Sequence, residues 1–206
     1  MNSNFDKDLT NEAFLAKYLD GIYPTLFNGF AIERISDLKQ QQQGIDLVLS
    51  KEGTVYTIDE KAQLDYLESD LPTFAFEISY LKYGQERLGW LYDSKKITDF
   101  YFTITAIKCN EYNVPESGFR SCKIFSVDRR KLINLLNSRG LNIDRIKALN
   151  EHIRKGTAED RIKVDELNAA TEGKFFYSKK GKAEQPINIV LKLDFLIKSK
   201  VAKRIY

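Results

Sequence analysis

The sequence predicts a mixed α/β or α+β fold, with a central mixed β-sheet flanked by helices. Runs rich in β-branched and aromatic residues, separated by turn residues, fill the middle of the chain. Amphipathic helical patterns lie before and after them, and strand-like runs return near the end. With 206 residues, 43% of them hydrophobic, the chain can bury a core as a single domain over residues 1–206.

The first elements follow from local patterns. A helix is predicted from Asn11 to Asp20, with Thr10 or Asn11 placed to cap it. Its apolar residues have helical spacing: Phe14, Leu15, Tyr18 and Leu19. Residues 27–35 are a strand candidate, and the polar run 36–43 is predicted as a loop.

The next segment predicts a hairpin and further strands. The runs Ile45–Ser50 and Thr54–Gln63 are joined by Lys51-Glu52-Gly53, a short glycine-containing connection that favours a hairpin. Strands are also predicted over Thr73–Leu81, Ile97–Lys108 and Cys122–Val127.

The last third of the chain predicts helices and then strands. Asp128 is the N-cap candidate of a helix that stops at Gly140, and a second helix covers Asn142–Gly156. A short helix is predicted near Ala158–Ala169. Strand-like residues 175–178 and 187–197 close the chain.

Composition excludes several kinds of site. The two cysteines, Cys109 and Cys122, lack CxxC spacing and are expected to be reduced thiols. The single histidine, His152, leaves too few ligands for an ordinary zinc site. A Ser-His-Asp triad is formally possible, but it would depend on this histidine, whose charged, helical-looking segment is more typical of a solvated face. The polar, acidic start and the lack of a long apolar run predict a cytoplasmic protein without a membrane span.

Charge is unevenly distributed. Residues 173–206, here called the basic tail, carry a net charge of +7, which leaves −4 on the rest of a chain with a total of +3. Acidic residues able to hold a metal, together with a basic segment able to meet phosphates, suit a nucleic-acid enzyme. A solubilising tail is the alternative explanation of the same charges.

The most informative stretch is the pair of strands in the predicted hairpin. Asp46 follows Gly44-Ile45, and Asp59-Glu60-Lys61 comes 13 residues after Asp46. Because side chains alternate along a strand, Asp59, Lys61 and Gln63 should share one face, and hairpin pairing can bring Asp46 beside them. Two carboxylates can hold Mg²⁺, for which Mn²⁺ can substitute, and a lysine can orient water or stabilise phosphoryl charge.

This pattern resembles the PD-(D/E)XK, or restriction-endonuclease-like, nuclease superfamily. The resemblance implies that Asp46 and Asp59 are metal ligands, that Lys61 is catalytic, and that Gln63 contacts the substrate or supports the site. Ile45 stands where the name-giving motif has proline. Residues 40–105 also resemble small bacterial and phage nuclease-like proteins. The resemblance implies a restriction-endonuclease-like core and Mg²⁺-dependent hydrolysis of phosphodiesters, with DNA as the expected substrate and 5′-phosphate and 3′-hydroxyl products.

Other acidic residues leave alternatives open. Glu60 should point away from Asp59 into a layer that looks like core, where it is either paired or brought to the metal by a bulge. Its backbone carbonyl is a further candidate metal ligand. Superfamily members often place a glutamate of the first helix near the metal, which makes Glu12 a candidate, and Glu77 could reach the same cavity.

Candidate nucleic-acid contacts lie before the hairpin and in the basic tail: Gln43, Lys198, Lys200, Lys203 and Arg204. A homodimer is an open prediction, because cutting both strands of a duplex usually calls for two sites. The alternative function is a catalytically inactive nucleic-acid-binding or assembly protein with the same fold. A plain interaction domain is a third hypothesis, favoured if the basic tail lies away from the hairpin.

Overall fold

A computed structural model describes residues 3–156, 161–179 and 183–206. The helices are α1 Ser3–Leu26, α2 Leu38–Gln42, α3 Arg129–Ser138, α4 Ile143–Lys155 and α5 Leu193–Lys198. The strands are β1 Ala31–Arg34, β2 Leu47–Lys51, β3 Thr54–Ala62, β4 Thr73–Lys82, β5 Gln85–Leu88, β6 Phe100–Glu111, β7 Val114–Asp128, β8 Arg161–Ile162, β9 Gly173–Tyr177, β10 Ile187–Lys192 and β11 Ala202–Arg204. Among the helices described, none combines the length and apolar character needed to cross a membrane.

The chain divides into two compact units. Unit one comprises Met1–Leu71, Thr98–Val127 and Lys203–Tyr206. Unit two comprises Pro72–Ile97 and Asp128–Ala202. The assignment of residues 1–206 to a single domain stays a prediction.

The sheet of unit one is mixed, and the protein has a mixed α+β fold. The strand order is β1-β2-β3-β6-β7-β11. β1, β2 and β3 pair antiparallel, whereas β3 and β6 are parallel. Asp99 secures the start of the parallel pair, because Thr57 N donates to its carboxylate at 2.9 Å and its own N–H donates to Thr57 O at 3.0 Å.

Helix α1 packs on one face of this sheet. Its buried residues Leu15, Leu19 and Tyr23 recur every four positions, so they form one stripe along the helix. They join Ile58 of β3 and Phe102 of β6 in the core of unit one. The side chains of β3 that alternate with Ile58 therefore lie on the face of the sheet away from this core.

The predicted first helix is too short. The helix runs from Ser3 to Leu26, so Thr10 and Asn11 lie inside it and the prediction that they cap it is wrong. The loop predicted over residues 36–43 contains α2, whose N-cap Asp37 accepts a 2.8 Å hydrogen bond from Gln40 N. The predicted hairpin is confirmed, and Glu52 and Gly53 at its turn both have positive φ, as tight β-hairpins require.

Unit two contains a second sheet that the prediction of one central sheet did not include. Its strand order is β5-β4-β10-β9-β8, and every neighbouring pair is antiparallel. The two predicted helix starts are confirmed. Asp128 accepts from Lys131 N at 2.9 Å and Asn142 accepts from Arg145 N at 3.0 Å.

Two predictions in unit two are wrong. The strand predicted over residues 187–197 ends at Lys192, and α5 follows with Leu193 and Leu196 buried at helical spacing. The helix predicted near Ala158–Ala169 falls partly outside the described residues, and 161–169 form β8 and turns. In those turns the Asn168 side chain accepts from Ala170 N at 2.9 Å, a local bond that competes with helix formation.

Candidate active site

Backbone hydrogen bonds fix Asp46 from two sides at the entrance to β2. Its N–H donates to Ile58 O at 2.8 Å, which extends the β2–β3 pairing by one residue. Its carbonyl accepts from Ile35 N at 2.9 Å. Two residues earlier, the carbonyl of Gly44 accepts from Thr98 Oγ1 at 2.7 Å. Asp46 therefore stands on a rigid segment next to the middle of β3.

Asp59 and Lys61 lie on one face of β3. The parallel register with β6 pairs Asp59 with Tyr101 and Lys61 with Thr103. Asp59 is only 1% exposed, while the Lys61 side chain is 28% exposed. The Lys61 ammonium donates to Asp59 Oδ1. The alternation expected from the sequence thus brings this carboxylate and this ammonium into contact.

The carboxyl groups of Asp46 and Asp59 lie close enough together for the charge of Asp59 to act on the pKa of Asp46. Asp46 Oδ2 also accepts from Glu60 N at 2.8 Å. Burial first, and then the charge of Asp59, raise the pKa of Asp46 to about 7, although Lys61 and the Glu60 N–H act to lower it. Burial and the charge of Asp59 therefore outweigh the stabilisation that Lys61 gives to the ionised Asp46 carboxylate.

Lys61 is held in its charged form. Burial alone would lower its pKa, but the charges of Asp59 and Asp46 and the hydrogen bond to Asp59 raise it. The charge of Glu12 acts in the same direction. Glu12 is exposed on α1, and its predicted place near the metal stays a prediction.

The two carboxylates fit a hard divalent cation. Asp59 Oδ2 is buried and receives no hydrogen bond from the described residues. Mg²⁺ in proteins is commonly held by one or two carboxylates, with waters and substrate phosphates as its other ligands. Within the described ranges, no group of three or more His, Cys, Asp or Glu side chains is arranged to hold a metal. The assignment of Asp46 and Asp59 as the residues that would hold Mg²⁺ stays a prediction.

Glu60 points to the opposite face of the sheet and is paired there. Its carboxylate accepts from Tyr23 and from both terminal nitrogens of Arg34, at 2.5 and 3.3 Å. The register of β3 with β6 runs unbroken from Ile58 to Ala62, so this stretch has no bulge that would turn Glu60 toward Asp59. The Glu60 side chain is therefore not the metal ligand considered as an alternative, while a role for its carbonyl stays a prediction.

The two predicted glutamines lie next to short helices. Strand β3 ends at Ala62, and Gln63 N still donates to Ile104 O at 3.0 Å before the chain enters a short 3-10 helix. Gln43 follows α2, and its N–H donates to Gln40 O at 2.9 Å. The predicted contacts of both side chains with a substrate stay predictions.

The basic residues proposed to meet nucleic acid fall in different units. Lys198 and Lys200 are exposed in unit two, at the end of α5 and just after it. Lys203 and Arg204 are exposed on β11 of unit one, at the far edge of the sheet. Strands β6 and β7 separate β11 from β3, which corresponds to roughly 14 Å at the usual strand spacing. Glu77 lies on β4 of unit two, opposite Asn188.

No protein family, curated protein or solved structure matches the chain. Its own geometry therefore carries the functional argument.

Sequence reasoning missed Tyr23 and Arg34, the partners of Glu60. A signal for the first was present, because Tyr23 continues the apolar stripe of Leu15 and Leu19. A tyrosine on a buried stripe needs a partner for its hydroxyl, and Glu60 is the acidic residue that alternation sends into that layer.

Proposed function

We propose that the protein is a metal-dependent nuclease that hydrolyses phosphodiester bonds in nucleic acid, with DNA as the expected substrate. The observation that carries this proposal is the cluster of Asp46, Asp59 and Lys61, in which Asp59 is buried and the other two are partly buried. Two adjacent carboxylates suit Mg²⁺, or Mn²⁺ in its place, and a charged lysine beside them suits phosphoryl chemistry.

The architecture of unit one supports a restriction-endonuclease-like core. Its sheet is mixed, and α1 packs on one face. Asp46 immediately precedes β2, and the Asp-x-Lys motif lies on β3, which pairs with β2 in antiparallel fashion. The PD-(D/E)XK resemblance in the sequence rests on the same arrangement.

Each residue of the cluster has a distinct role in this proposal. Bound Mg²⁺ would supply Lewis-acid stabilisation of the phosphoryl oxygens and lower the pKa of a water molecule. Asp46 and Asp59 would hold the cation through carboxylate oxygens, and the Glu60 N–H orients the Asp46 carboxylate. Lys61 keeps its proton because of the two aspartates, so it stabilises negative charge on the phosphate or orients the attacking water.

A cleavage assay tests this function. The purified protein is incubated with labelled single-stranded, duplex and branched DNA and with RNA, each with Mg²⁺, Mn²⁺ or EDTA. We expect cleavage of at least one DNA substrate with either metal and none with EDTA. Salt-sensitive binding without cleavage in any metal would instead favour a nucleic-acid-binding protein without turnover.

The basic tail is predicted to add sequence-independent affinity. Changing Lys198, Lys200, Lys203 and Arg204 together to Gln should weaken DNA binding, because each phosphate that a cation neutralises releases counterions from the polymer. The slope of log K against log salt should flatten by up to about 0.9 for each duplex phosphate that the variant no longer neutralises, as measured by fluorescence anisotropy. Single-turnover cleavage at saturating DNA should change much less.

A matched control removes the same charge elsewhere on the surface. In this control, four exposed lysines outside the basic tail are changed to Gln: Lys17, Lys95, Lys108 and Lys147. This variant should keep more affinity and a steeper salt slope than the tail variant. Equal affinity and equal slope for wild-type protein and tail variant would show that the basic tail is only a solvated surface.

A further inference from the structure

A partly buried polar network lies on the face of the sheet opposite the two aspartates. The Glu60 carboxylate accepts from the Tyr23 hydroxyl and from the Arg34 guanidinium, whose Nε donates to Asp20 at 2.7 Å. Tyr23 is fully buried, and the Glu60 side chain is 12% exposed. These contacts join α1, the edge strand β1 and the middle of β3 through one carboxylate.

The network reaches the site through the backbone of a single residue. Glu60 stands between Asp59 and Lys61, and its N–H donates to Asp46 Oδ2 at 2.8 Å. Fixing the Glu60 side chain on one face limits how the strand can rotate or shift at this residue. The same restraint holds the N–H toward Asp46 and the flanking side chains of Asp59 and Lys61 toward the other face.

We propose that Tyr23, Arg34 and Glu60 are positioning residues that preorganise Asp46 and Asp59 for a divalent cation from the opposite face of the sheet. This inference rests on the proposed function, because it assigns the network to the same metal site. Groups that orient metal-binding carboxylates typically change metal affinity by about 10-fold or more when they are removed. The three side chains meet one another on the core face, so they act on the two aspartates through the strand.

Two conservative variants, Tyr23→Phe and Glu60→Gln, test the proposal. Tyr92→Phe is the matched control, since it also removes a buried hydroxyl, one that donates to Leu141 O at 2.8 Å in unit two. Isothermal titration with Mn²⁺ at pH 8 measures cation affinity without any cleavage. The ¹H–¹⁵N resonance of Glu60 reports directly on its N–H bond to Asp46.

We expect both network variants to bind Mn²⁺ about 10-fold more weakly, with a shifted Glu60 amide resonance, while Tyr92→Phe keeps wild-type affinity. If the wild-type protein cleaves, the Mn²⁺ concentration for half-maximal rate should rise more than kcat falls. Wild-type Mn²⁺ affinity in both network variants would overturn the inference, even if the protein is a nuclease. Weaker Mn²⁺ binding in both variants without any wild-type cleavage would instead sustain the inference and overturn the proposed function.

Discussion

Replacing Asp59 with Asn is expected to abolish Mg²⁺-dependent cleavage, with a fall in rate of about 100-fold or more. Asp59 is buried, and its carboxylate accepts a hydrogen bond from Lys61. It also lies close enough to Asp46 to raise the pKa of that residue, so it interacts with both other members of the proposed site. Loss of a metal ligand removes charge stabilisation worth several kcal/mol in the transition state. Single-turnover cleavage at saturating Mg²⁺ measures this loss, and Asp46→Ala should behave in the same way.

Asp70→Asn is the matched control for this experiment. Asp70 is 57% exposed and forms a surface ion pair with Lys123, so the change removes one carboxylate from unit one without touching the cluster. The control should retain wild-type activity. Full activity in Asp59→Asn or Asp46→Ala would place the catalytic site elsewhere in the chain.

Asp46→Asn is expected to be more stable, relative to the wild-type protein, at pH 8 than at pH 5 when no metal is bound. Burial and the neighbouring Asp59 raise the pKa of Asp46 to about 7, compared with about 3.9 for an unfolded aspartate. The folded state therefore keeps a proton that the unfolded chain loses as pH rises from about 4 to 7. Wild-type stability should decline across this window, by at most about 1.4 kcal/mol per pH unit for this proton, and level off above it.

The asparagine removes this titration while its amide oxygen can still accept from Glu60 N. Urea unfolding in EDTA at pH 5 and pH 8 measures the difference between variant and wild type at each pH. We expect the difference to favour Asp46→Asn at pH 8, whereas Asp70→Asn should give the same difference at both pH values. A difference for Asp46→Asn that is independent of pH would contradict the raised pKa of Asp46.

Local patterns predicted the elements that are fixed by short-range chemistry. The hairpin, the N-cap Asp128, the helix that starts at Asn142 and the strand predicted over Thr73–Leu81 follow from turn residues, caps and β-branched runs. Asp59 and Lys61 share a face because alternation along a strand is a local rule. The prediction that Asp46 lies near Asp59 required only the pairing of β3 with the strand next to it in the sequence.

Other features depend on tertiary contacts that one sequence does not reveal. Residues 187–197 are rich in apolar side chains, and this apolar character suits both a buried strand up to Lys192 and a packed helix after it. The N-terminal half of α1 is polar, so apolar periodicity did not extend the predicted helix to Ser3. The second sheet joins β4 to β10, strands more than one hundred residues apart in the chain.

The partners of Glu60 could likewise not be predicted without knowing which elements pack together. Alternation placed Glu60 in the core layer but did not say what neutralises a buried carboxylate there. Arg34 lies on the edge strand and Tyr23 on the preceding helix, so only the packing of three elements shows the network. The polar tyrosine on an apolar stripe was the available clue.

Asp46 and Asp59 are proposed to share one divalent cation, and every catalytic role above depends on it. Crystals of the protein grown with Mn²⁺ at pH 8, with diffraction measured at the manganese absorption edge, test this sharing most directly. We predict one anomalous peak in contact with a carboxylate oxygen of each aspartate, and no peak at that position in Asp59→Asn crystals. A wild-type crystal with the two carboxyl groups still in mutual contact and no peak between them, at saturating Mn²⁺, would contradict the proposal.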